Sequence, residues 1–484
     1  MNDILRGLEP EAVFRNFESL TRIPRGSGNE KGVSDFLFSF AKQHRLEVVQ
    51  DPSLNVIIRK NATPGYEKSK RVILQGHMDM VAVKEDDIDF DFEKDPIPIL
   101  IDGDMIRTKG TTLGADDGIA LAMTMAILES KTIEHPPLTA LFTISEETGM
   151  DGVINLKPGT VSGDVLINID SEEEGIFLAS CAGGINVDMT LPVSFIDPFE
   201  DNEFYEIIVK GLIGGHSGSE INKNRASAIV LLGRLLQILD EQAGIEISYV
   251  NGGIKMNAVP KSAKAVISVQ KGNIDKLKEA IKNTQDIFRN EYSSSDSNIV
   301  IDIKCDKENQ KILSRESKKK LIGILRVLPF GVQAMSADID DLVETSSNIG
   351  MLETKADSIL ISSSVRSSVK SRKEEICKRI QAVGEITGST VELNSDYPDW
   401  QFKKNSPIRD LMVKTYKDMF GKDAKVAAIH AGLECGYLIE KVGDIDMISL
   451  GPNMYDVHTP DEHLSISSTK RIFEFLCQVL KRMK

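Results

Sequence analysis

Five short segments of the chain combine histidine or carboxylate residues in a way that could bind metal ions. They are Gly76-His77-Met78-Asp79, Gly114-Ala115-Asp116-Asp117-Gly118, Ser145-Glu146-Glu147-Thr148-Gly149, Asn168-Ile169-Asp170 and Asp456-Val457-His458. Residues two apart in an extended backbone share a face, so Asp79 can hold the His77 imidazole and fix which ring nitrogen is free. Each segment alone also fits a simpler interpretation, such as a helix cap or a solvated charge.

Two of these segments contain adjacent carboxylates. A helix N-cap accounts for one aspartate of Asp116-Asp117 but not for both. Near a cation, two neighbouring carboxylates such as Glu146 and Glu147 can have different roles, one binding metal and the other acting as a base. Together the segments offer more ligands than one four-coordinate zinc with an open position can use, and they suit two metal ions that share a carboxylate. The candidate ligands are His77, Asp116, Glu147, Asp170 and His458.

The elements predicted around these segments form an open α/β sheet. Continuous apolar runs predict buried strands over 71–75, 139–144 and 164–169, and a helix is predicted over 118–129. Ligand-binding residues of such sheets lie beyond the carboxyl ends of the strands. The first histidine and two of the candidate carboxylates follow these three strands, so we expect them to meet at one edge.

After about residue 187 the pattern changes to a β-α-β-β-α-β order, which is then repeated more weakly. The first set has strands over 203–212, 245–250, 263–269 and 298–303 and helices over 226–241 and 274–288; the second has strands near 311, 341–346, 359–365 and 389–393 and helices over 317–328 and 372–386. We therefore predict an inserted α+β domain of two ferredoxin-like units at 187–397. Residues 1–186 and 398–484 would form one α/β catalytic domain with a mixed sheet flanked by helices, because the last segment is too short to stand alone.

Composition argues against several classes of protein. The 484 residues include 58 Lys+Arg and 73 Asp+Glu, giving a formal charge of −15 that disfavours nucleic acid and anionic membranes as partners. No run approaches the roughly 18 apolar residues of a membrane span. The first residues lack the basic and apolar regions of a secretory signal, and the five cysteines are widely separated. We expect a cytoplasmic protein with reduced thiols.

Six motifs, in this order, resemble those of the M20 family of di-zinc peptidases. They are Gln-Gly-His-Met-Asp-Met-Val, Gly-Ala-Asp-Asp-Gly-Ile-Ala, Ser-Glu-Glu-Thr-Gly, Ile-Asp-Ser-Glu-Glu-Glu-Gly, Gly-Gly-His-Ser-Gly and Val-His-Thr-Pro-Asp-Glu. The resemblance extends from about residue 13 to 484 and is strongest to bacterial dipeptidases of the family that cleave aminoacyl-histidine. It implies metal-dependent hydrolysis of dipeptides with broad specificity, and it leaves open whether Xaa-His dipeptides such as β-alanyl-histidine are among them. It also implies two Zn²⁺ per subunit, replaceable by Co²⁺ or Mn²⁺, in a monomer or homodimer.

The resemblance implies a role for each residue of the metal centre. His77 and Asp170 would hold one zinc ion, Glu147 and His458 would hold the other, and Asp116 would bridge the two. These five residues are the ligand set that the spacing alone suggested. The large ligand set is therefore interpreted as a di-metal site.

The residues beside the ligands would carry out proton transfer and orientation. By the same resemblance, Asp79 would orient His77. Glu146 would take a proton from the metal-bridging water and later pass it to the leaving amine. The peptide bond between Asp116 and Asp117 is expected to be cis.

The inserted domain resembles the lid of the family. His216 matches the lid histidine that donates to the oxyanion of the scissile carbonyl, and Asn257 and Arg366 match residues that bind the carboxyl end of the substrate. Gly432 falls where the family contacts substrate through the backbone. In many dimeric relatives with a lid of half this size, the histidine comes from the other subunit. Two ferredoxin-like units in one chain could supply it internally, so we predict that His216 acts in cis.

Other functions compete with this interpretation. Within the family, a tripeptidase or an N-acyl amino acid amidohydrolase would use the same metal ligands. A metal-dependent binding protein without turnover would not need Glu146. A serine hydrolase would need G-x-S-x-G, and the sequence around Ser217 lacks the last glycine. A cysteine hydrolase built on Cys435 and His430 would be sensitive to thiol reagents and not to a chelator.

Overall fold

The structure, a computed structural model, describes residues 3–306 and 310–484. Residues 1 and 2, the start of the segment inspected for a secretory signal, lie outside the described residues. The helices are α1 (Glu11–Thr21), α2 (Lys31–Gln43), α3 (Ala115–Glu129), α4 (Asp151–Asn155), α5 (Ala228–Ala243), α6 (Ile274–Glu291), α7 (Arg315–Val327), α8 (Lys370–Thr387), α9 (Pro407–Phe420), α10 (Glu434–Val442) and α11 (Ile466–Arg482). Within these ranges no helix is long and apolar enough to cross a membrane.

The strands are short and spread along the whole chain. In chain order they are β1 (Glu47–Gln50), β2 (Val56–Lys60), β3 (Val72–His77), β4 (Leu100–Asp102), β5 (Met105–Arg107), β6 (Leu138–Thr143), β7 (Val165–Asn168), β8 (Ile176–Cys181), β9 (Gly183–Pro192), β10 (Phe195–Ile196), β11 (Asn202–Lys210), β12 (Gly215–His216), β13 (Glu246–Gly252), β14 (Ala258–Val259), β15 (Ala263–Gln270), β16 (Val300–Asp306), β17 (Ile312–Leu313), β18 (Gly331–Met335), β19 (Val343–Thr354), β20 (Ser358–Ser367), β21 (Thr390–Tyr397), β22 (Lys425–Ile429), β23 (Asp446–Ser449), β24 (Met454–Tyr455) and β25 (His463–Ser465). The continuous apolar runs singled out in the sequence correspond to β3, β6 and β7.

The chain divides into two compact units. The first unit contains the chain up to Ser180 together with Phe402–Ala428 and Leu433–Lys484, and the second contains Cys181–Gln401 and Ile429–Gly432. No sequence pattern indicated that Ile429–Gly432 belongs with the second unit. The predicted division at 186/187 and 397/398 stays a prediction of domain boundaries, because compactness does not show which parts fold independently.

The first unit is built on a mixed eight-stranded sheet in the order β1-β2-β6-β3-β7-β23-β8-β22. Its central strands β6, β3, β7 and β23 are parallel. Strands β3, β6 and β7 are buried along their entire lengths, as their unbroken apolar sequences predicted. Strands β22 and β23 come from the final segment, which confirms the prediction that this segment completes the first sheet.

Helix α3 brings an acidic turn into the core of the first unit. Apart from its last residue it is buried throughout, and it follows directly on Gly114, whose φ is +68°. Asp116 and Asp117 have non-helical backbone angles, so regular helix starts only at Gly118. The predicted helix over 118–129 is therefore confirmed, and the two aspartates form the irregular turn in front of it.

The second unit contains a nine-stranded sheet made of two ferredoxin-like halves. Eight strands run in the order β16-β11-β15-β13-β19-β20-β9-β21, with β18 paired to β19. The first half follows the predicted order β11, α5, β13, β15, α6, β16. The halves join where β13 pairs antiparallel with β19. Two ferredoxin-like units side by side are thus confirmed.

One element of the second half was predicted wrongly. The strand expected near Lys311 is the two-residue β17, which pairs with β10 in a separate small sheet. The first strand of this half is instead β9, which pairs with both β20 and β21. Strand β9 precedes the first half in the chain and buries alternate residues such as Val187 and Met189 in the unit's core. Reading the two halves in sequence order could not reveal a strand supplied from before the intervening half.

Candidate metal centre and substrate-binding residues

The predicted ligands of the first unit meet at one edge of the eight-stranded sheet. His77 is the last residue of β3 and lies opposite Thr143, the last residue of β6. Glu146 and Glu147 follow β6 in a short 3-10 turn. Asp170 lies two residues beyond β7. Parallel strands end at the same edge, so the three strands deliver their side chains to one place.

Asp116 lies between two histidine–carboxylate pairs. Its Oδ1 is 3.1 Å from His77 Nε2, which is also 3.5 Å from Asp170 Oδ1. Its Oδ2 is 3.1 Å from His458 Nε2, which is also 3.0 Å from Glu147 Oε1. The structure thus brings all five predicted ligands together, and each oxygen of Asp116 faces a different pair.

The electrostatic surroundings of the two histidines favour a positive charge. Burial alone would lower the pKa of His77, but its hydrogen bonds with Asp116 and Asp170 outweigh burial and raise that pKa well above its ordinary value. Hydrogen bonds with Asp116 and Glu147 raise the pKa of His458 to about 11. A divalent cation would satisfy the same carboxylates as a proton does. The donor set of imidazole nitrogen and carboxylate oxygen therefore fits zinc, cobalt or manganese.

The irregular turn at the start of α3 explains why both aspartates are present. The Asp116–Asp117 peptide bond is cis, which confirms the expectation drawn from the resemblance. Asp117 is buried, and its Oδ2 accepts the His77 backbone N–H at 3.2 Å. A Cβ added to Gly76 would lie 2.5 Å from Asp117 Oδ2, so only glycine allows this close approach. Asp117 thus fixes the backbone of β3 next to a candidate ligand.

Asp79 contacts more than the histidine that it was expected to orient. Its Oδ1 is 3.4 Å from His77 Nδ1. Its carboxylate also accepts the backbone N–H groups of Glu146 at 3.0 Å and Glu147 at 3.2 Å, and the Ser27 hydroxyl at 2.8 Å. Burial would raise the pKa of Asp79, but these hydrogen bonds lower it. Asp79 therefore holds both the first histidine and the turn that carries the two glutamates.

Glu146 lies beside the candidate ligands but is not required to complete either group of them. Its carboxylate lies within 4.8 Å of the candidate ligand atoms of His77 and Glu147, while the two groups that share Asp116 are each complete without it. Burial raises the pKa of Glu146 to about 9, and neighbouring carboxylates, including that of Asp170, add to the effect. A carboxyl group with a raised pKa beside a candidate metal centre is suited to proton transfer.

Sequence reasoning missed a buried network beneath this site. Glu434 Oε2 accepts from Gln75 Nε2 at 2.6 Å and from the Thr143 hydroxyl at 2.8 Å, and Gln75 Oε1 accepts from Asn168 Nδ2 at 2.6 Å. Burial raises the pKa of Glu434 to about 7. The network ties together the ends of β3, β6 and β7. Its only sequence signal was an unexplained glutamate in the segment His-Ala-Gly-Leu-Glu.

In the second unit, His216 is held in one tautomer. It pairs with Ala258 across β12 and β14. Its Nδ1 accepts the backbone N–H groups of Ser219 at 3.1 Å and Gly218 at 3.3 Å. Burial lowers the pKa of His216, and the charge of Arg366 lowers it further. The neutral ring therefore carries its proton on Nε2 and can donate from that atom.

The other predicted substrate-binding residues also lie in the second unit. The backbone of Asn257 is fixed from both sides, because Asn348 Nδ2 donates to the carbonyls of Met256 at 2.8 Å and Ala258 at 2.9 Å. Arg366 Nη1 donates to the Tyr397 hydroxyl at 2.8 Å.

Gly432 and His430 lie in the short segment Ile429–Gly432, which belongs to the second unit. A Cβ on Gly432 would lie 3.0 Å from the Tyr397 ring. His430 Nε2 is 2.8 Å from the hydroxyl of Ser346, which pairs with Arg366 across β19 and β20. Burial lowers the pKa of His430 to about 3, with the charges of Arg366 and His216 adding to the effect. His430, left open by the sequence, is thus a buried neutral residue beside Arg366.

The contacts of Ser217 and Cys435 do not support the rival nucleophiles. Among the described residues, the buried Ser217 hydroxyl has no hydrogen-bond partner, and His216 Nδ1 faces Ser219 instead. Cys435 is fully buried, and His430 Nε2 is engaged with Ser346. Ser217 is therefore not paired with a base as a serine nucleophile would be.

Comparisons with known proteins identify the family and the fold. The description of peptidase family M20/M25/M40 matches residues 73–482. The chain is 36% identical over 479 residues to the cytosol non-specific dipeptidase of Escherichia coli (strain K12), covering 99% of each. The crystal structure of aminoacylhistidine dipeptidase from Vibrio alginolyticus superposes with a TM-score of 0.96 at 34% identity, covering 99% of this chain and 98% of that one. A tripeptidase of Staphylococcus aureus shares the fold, with a TM-score of 0.57 at 16% identity and coverage of 98% and 99%.

Proposed function

Because the chain belongs to the M20 family of peptidases, we propose that it is a dipeptidase that uses two bound metal ions. The observation that carries the proposal is Asp116, whose two oxygens face two separate histidine–carboxylate pairs. The substrate class follows the Escherichia coli relative, which is named a non-specific dipeptidase and aligns over almost the whole chain. Broad specificity for dipeptides, including Xaa-His dipeptides such as β-alanyl-histidine, is part of the proposal.

Two Zn²⁺ ions are the proposed cofactors, with Co²⁺ or Mn²⁺ as substitutes. His77 and Asp170 would hold one ion, Glu147 and His458 the other, and Asp116 both. Support comes from the distances of these side chains and from the carboxylate environment that raises both histidine pKa values. Bound metal ions would polarise the scissile carbonyl and make a water molecule more acidic.

Glu146 is the proposed general base and acid. It would take a proton from the attacking water and deliver it to the nitrogen of the leaving amino acid. Burial raises its pKa in the absence of metal, and bound cations would lower that pKa again toward the ionised form that accepts a proton. Asp79 would keep Glu146 in place through the backbone N–H that it accepts, and His77 through its ring.

The second unit supplies the proposed groups for substrate. The tautomer of His216 leaves its Nε2–H available to donate to the oxygen of the scissile carbonyl as negative charge develops there. Arg366 and Asn257 would bind the terminal carboxylate of the substrate, and Gly432 would contact it through the backbone. We further propose that His216 acts on substrate bound by its own chain. Restored activity on mixing His216→Ala with Glu146→Ala subunits would contradict this.

The decisive experiment is amino-acid release from a panel of dipeptides, tripeptides and N-acyl amino acids. It should be run with Zn²⁺, with chelator, and with Glu146→Gln; Asp164→Asn serves as the matched control, because Asp164 is exposed and precedes β7 at its opposite end. We expect metal-dependent cleavage of dipeptides, lost in Glu146→Gln and retained in Asp164→Asn. Metal binding without cleavage would make the chain a binding protein, and turnover of longer or acylated substrates alone would overturn the substrate class.

The remaining expectations are proposals of the same kind. The Escherichia coli relative carries the word cytosol in its name, which supports a cytoplasmic location. A small peptide is the proposed partner, and the chain would act as a monomer or homodimer. Cell fractionation tests the location, and sedimentation of the purified protein tests the oligomeric state.

A further inference from the structure

Two buried side chains of opposite charge, Arg25 and Glu462, hold the backbone beside the proposed metal ligands. Arg25 is 1% exposed and Glu462 is 2% exposed. Arg25 comes from the loop between α1 and α2, and Glu462 immediately precedes β25, so both reach the site from distant parts of the chain. Neither belongs to the proposed ligand set.

Glu462 binds four successive backbone N–H groups. Its Oε2 accepts from Leu113 at 2.8 Å and Gly114 at 3.0 Å, and its Oε1 accepts from Ala115 at 2.7 Å and Asp116 at 3.3 Å. A carboxylate suits this arrangement because both of its oxygens only accept hydrogen bonds. The segment that it fixes ends at Asp116, the proposed shared ligand.

Arg25 links that segment to the backbone that follows His77. Its Nη1 donates to the carbonyls of Met78 and Asp79, each at 3.0 Å, and its Nη2 donates to the carbonyl of Gly114. A Cβ on Gly114 would lie 2.6 Å from Arg25 Nη2, and a Cβ on Gly118 would lie 2.5 Å from the same atom. The two glycines around the acidic pair therefore leave room for a buried guanidinium.

We propose that Arg25 and Glu462 are positioning residues that set the metal affinity of the site. The inference rests on the proposed metal centre and adds the residues that pre-form it. Carboxylates gathered without a cation repel each other, so a loop held only by its ligands would have to be ordered when metal binds. Here the backbone of Asp116 and of the segment after His77 is fixed by hydrogen bonds that need no metal, and such supports commonly change metal affinity by about 10- to 100-fold.

The alternative is that the pair stabilises only the fold. A buried glutamate elsewhere in the same unit provides the control: Glu18 is 5% exposed and accepts the backbone N–H groups of Ile4 and Leu5, each at 2.9 Å. Its Oε1 also accepts from Arg22 Nη2 at 2.9 Å. Glu18→Gln and Glu462→Gln both replace one carboxylate oxygen by an amide that faces N–H donors. Only the second change alters the segment that carries a proposed ligand.

The experiment measures Zn²⁺ affinity by competition with a chromophoric chelator, and the Tm of the metal-free protein by calorimetry. We expect Glu462→Gln to raise the Zn²⁺ Kd by about 10- to 100-fold, while Glu18→Gln lowers Tm to a similar extent and keeps the Kd within about twofold. Arg25→Lys keeps the charge but loses the fixed fork of donors, and should also raise the Kd. It replaces Glu462→Gln if that variant does not fold.

Each outcome separates this inference from the proposed function. If the wild-type chain binds no Zn²⁺, the proposed metal centre itself is wrong. If the wild type binds and the Kd values of both Glu462→Gln and Arg25→Lys match that of Glu18→Gln, the pair is structural only, and the inference is overturned while the proposed function stands. A raised Kd confined to the Glu462 and Arg25 variants supports it.

Discussion

The two units surround the histidines of the candidate site with charges of opposite sign. In the first unit, His77 and His458 lie among carboxylates, which raise the pKa of each histidine. In the second unit, burial and the positive charge of Arg366 lower the pKa of His216 and His430. The same side chain is thereby prepared for two different uses. The carboxylates around the first pair would attract a metal ion in place of the proton, and the second pair stays neutral and can donate or accept hydrogen bonds.

The difference in charge matches the two kinds of ligand proposed for the units. Carboxylates of the first unit would be compensated by metal ions, whereas Arg366 of the second unit would be compensated by the carboxylate of a peptide. Neutral histidines beside Arg366 add no further positive charge, so the guanidinium remains the main attraction for an anion. Four measurements test this contrast.

Removing the shared carboxylate should have the largest effect. Asp116→Asn takes one negative charge from between the two histidine–carboxylate pairs, and we expect loss of bound metal and a fall in kcat/KM of about 10³-fold or more. Metal content by atomic absorption and dipeptide hydrolysis check this. Asp164→Asn, before β7, should leave both unchanged. Full metal content and activity in the Asp116→Asn variant would contradict the proposed centre.

Replacing the guanidinium of Arg366 in the second unit should have the next largest effect. Arg366→Lys loses the planar donor pair while keeping the charge, so we expect KM for dipeptides to rise about 10- to 100-fold with a smaller change in kcat. The control is Arg372→Lys, because Arg372 is 59% exposed and pairs with Glu344 at 2.9 Å in the same unit. Equal KM values for the two variants would remove Arg366 from the proposed substrate site.

The lowered pKa of His430 predicts a pH-dependent stability. Its folded pKa of about 3 lies below the value of about 6.5 for an unfolded histidine, so the unfolded chain takes up the proton first as pH falls. The stability from neutral His430 is complete above about pH 6.5 and is lost as pH falls toward 3. Between pH 6.5 and 5, His430→Gln should therefore lose about 2 kcal/mol less unfolding free energy than wild type.

Chemical denaturation at several pH values measures this difference. The contrast with the first unit can be tested in the same way on metal-free protein. His458 has a raised folded pKa, so its contribution is complete below about pH 6.5 and is lost as pH rises toward 11. As pH rises from 6.5 to 8, the unfolding free energy of wild type should therefore fall more than that of His458→Gln. This direction is opposite to that for His430, whose contribution is lost as pH falls. A wild-type loss in the same direction of pH for both comparisons would refute the contrast.

Removing one hydroxyl should have the smallest effect. Tyr397→Phe deletes the acceptor of the Arg366 Nη1 hydrogen bond and leaves the half-buried ring in place, so we expect KM to rise about 3- to 10-fold with kcat unchanged. Tyr205→Phe is the control, because its hydroxyl donates to Glu203 at 2.9 Å in the same unit. A change in kcat instead of KM would mean that Tyr397 acts beyond holding Arg366.

The sequence predicted most of what depends on local pattern. Apolar runs located β3, β6 and β7, and the parallel order of these strands implied that His77, Glu147 and Asp170 would share an edge; the structure places them there. The two ferredoxin-like halves were also readable from element order. The roles of the site residues stay predictions, to be decided by the variants above.

The contacts that the sequence could not predict join residues far apart in the chain. Arg25 and Gly114 differ by 89 positions, and Gln75 and Glu434 by 359. A buried arginine that donates to backbone carbonyls leaves no periodic pattern, because its partners can be residues of any type. The glycines at 114 and 118 flank the acidic pair in the sequence, but the room that they leave for Arg25 is visible only in the structure.

The pairing of β10 with β17 has a consequence for how the chain could have grown. Phe195 lies opposite Leu313 and Ile196 opposite Ile312, so the chain leaves and re-enters at adjacent points. Everything between, including the whole first ferredoxin-like half, begins and ends at this pair of strands and joins the other half where β13 pairs with β19. Strands β9, β19, β20 and β21 form the other half. A single insertion in the gene between β10 and β17 could have added one half to an existing sheet. Conversely, a short hairpin joining β10 to β17 would close the chain if this half were removed.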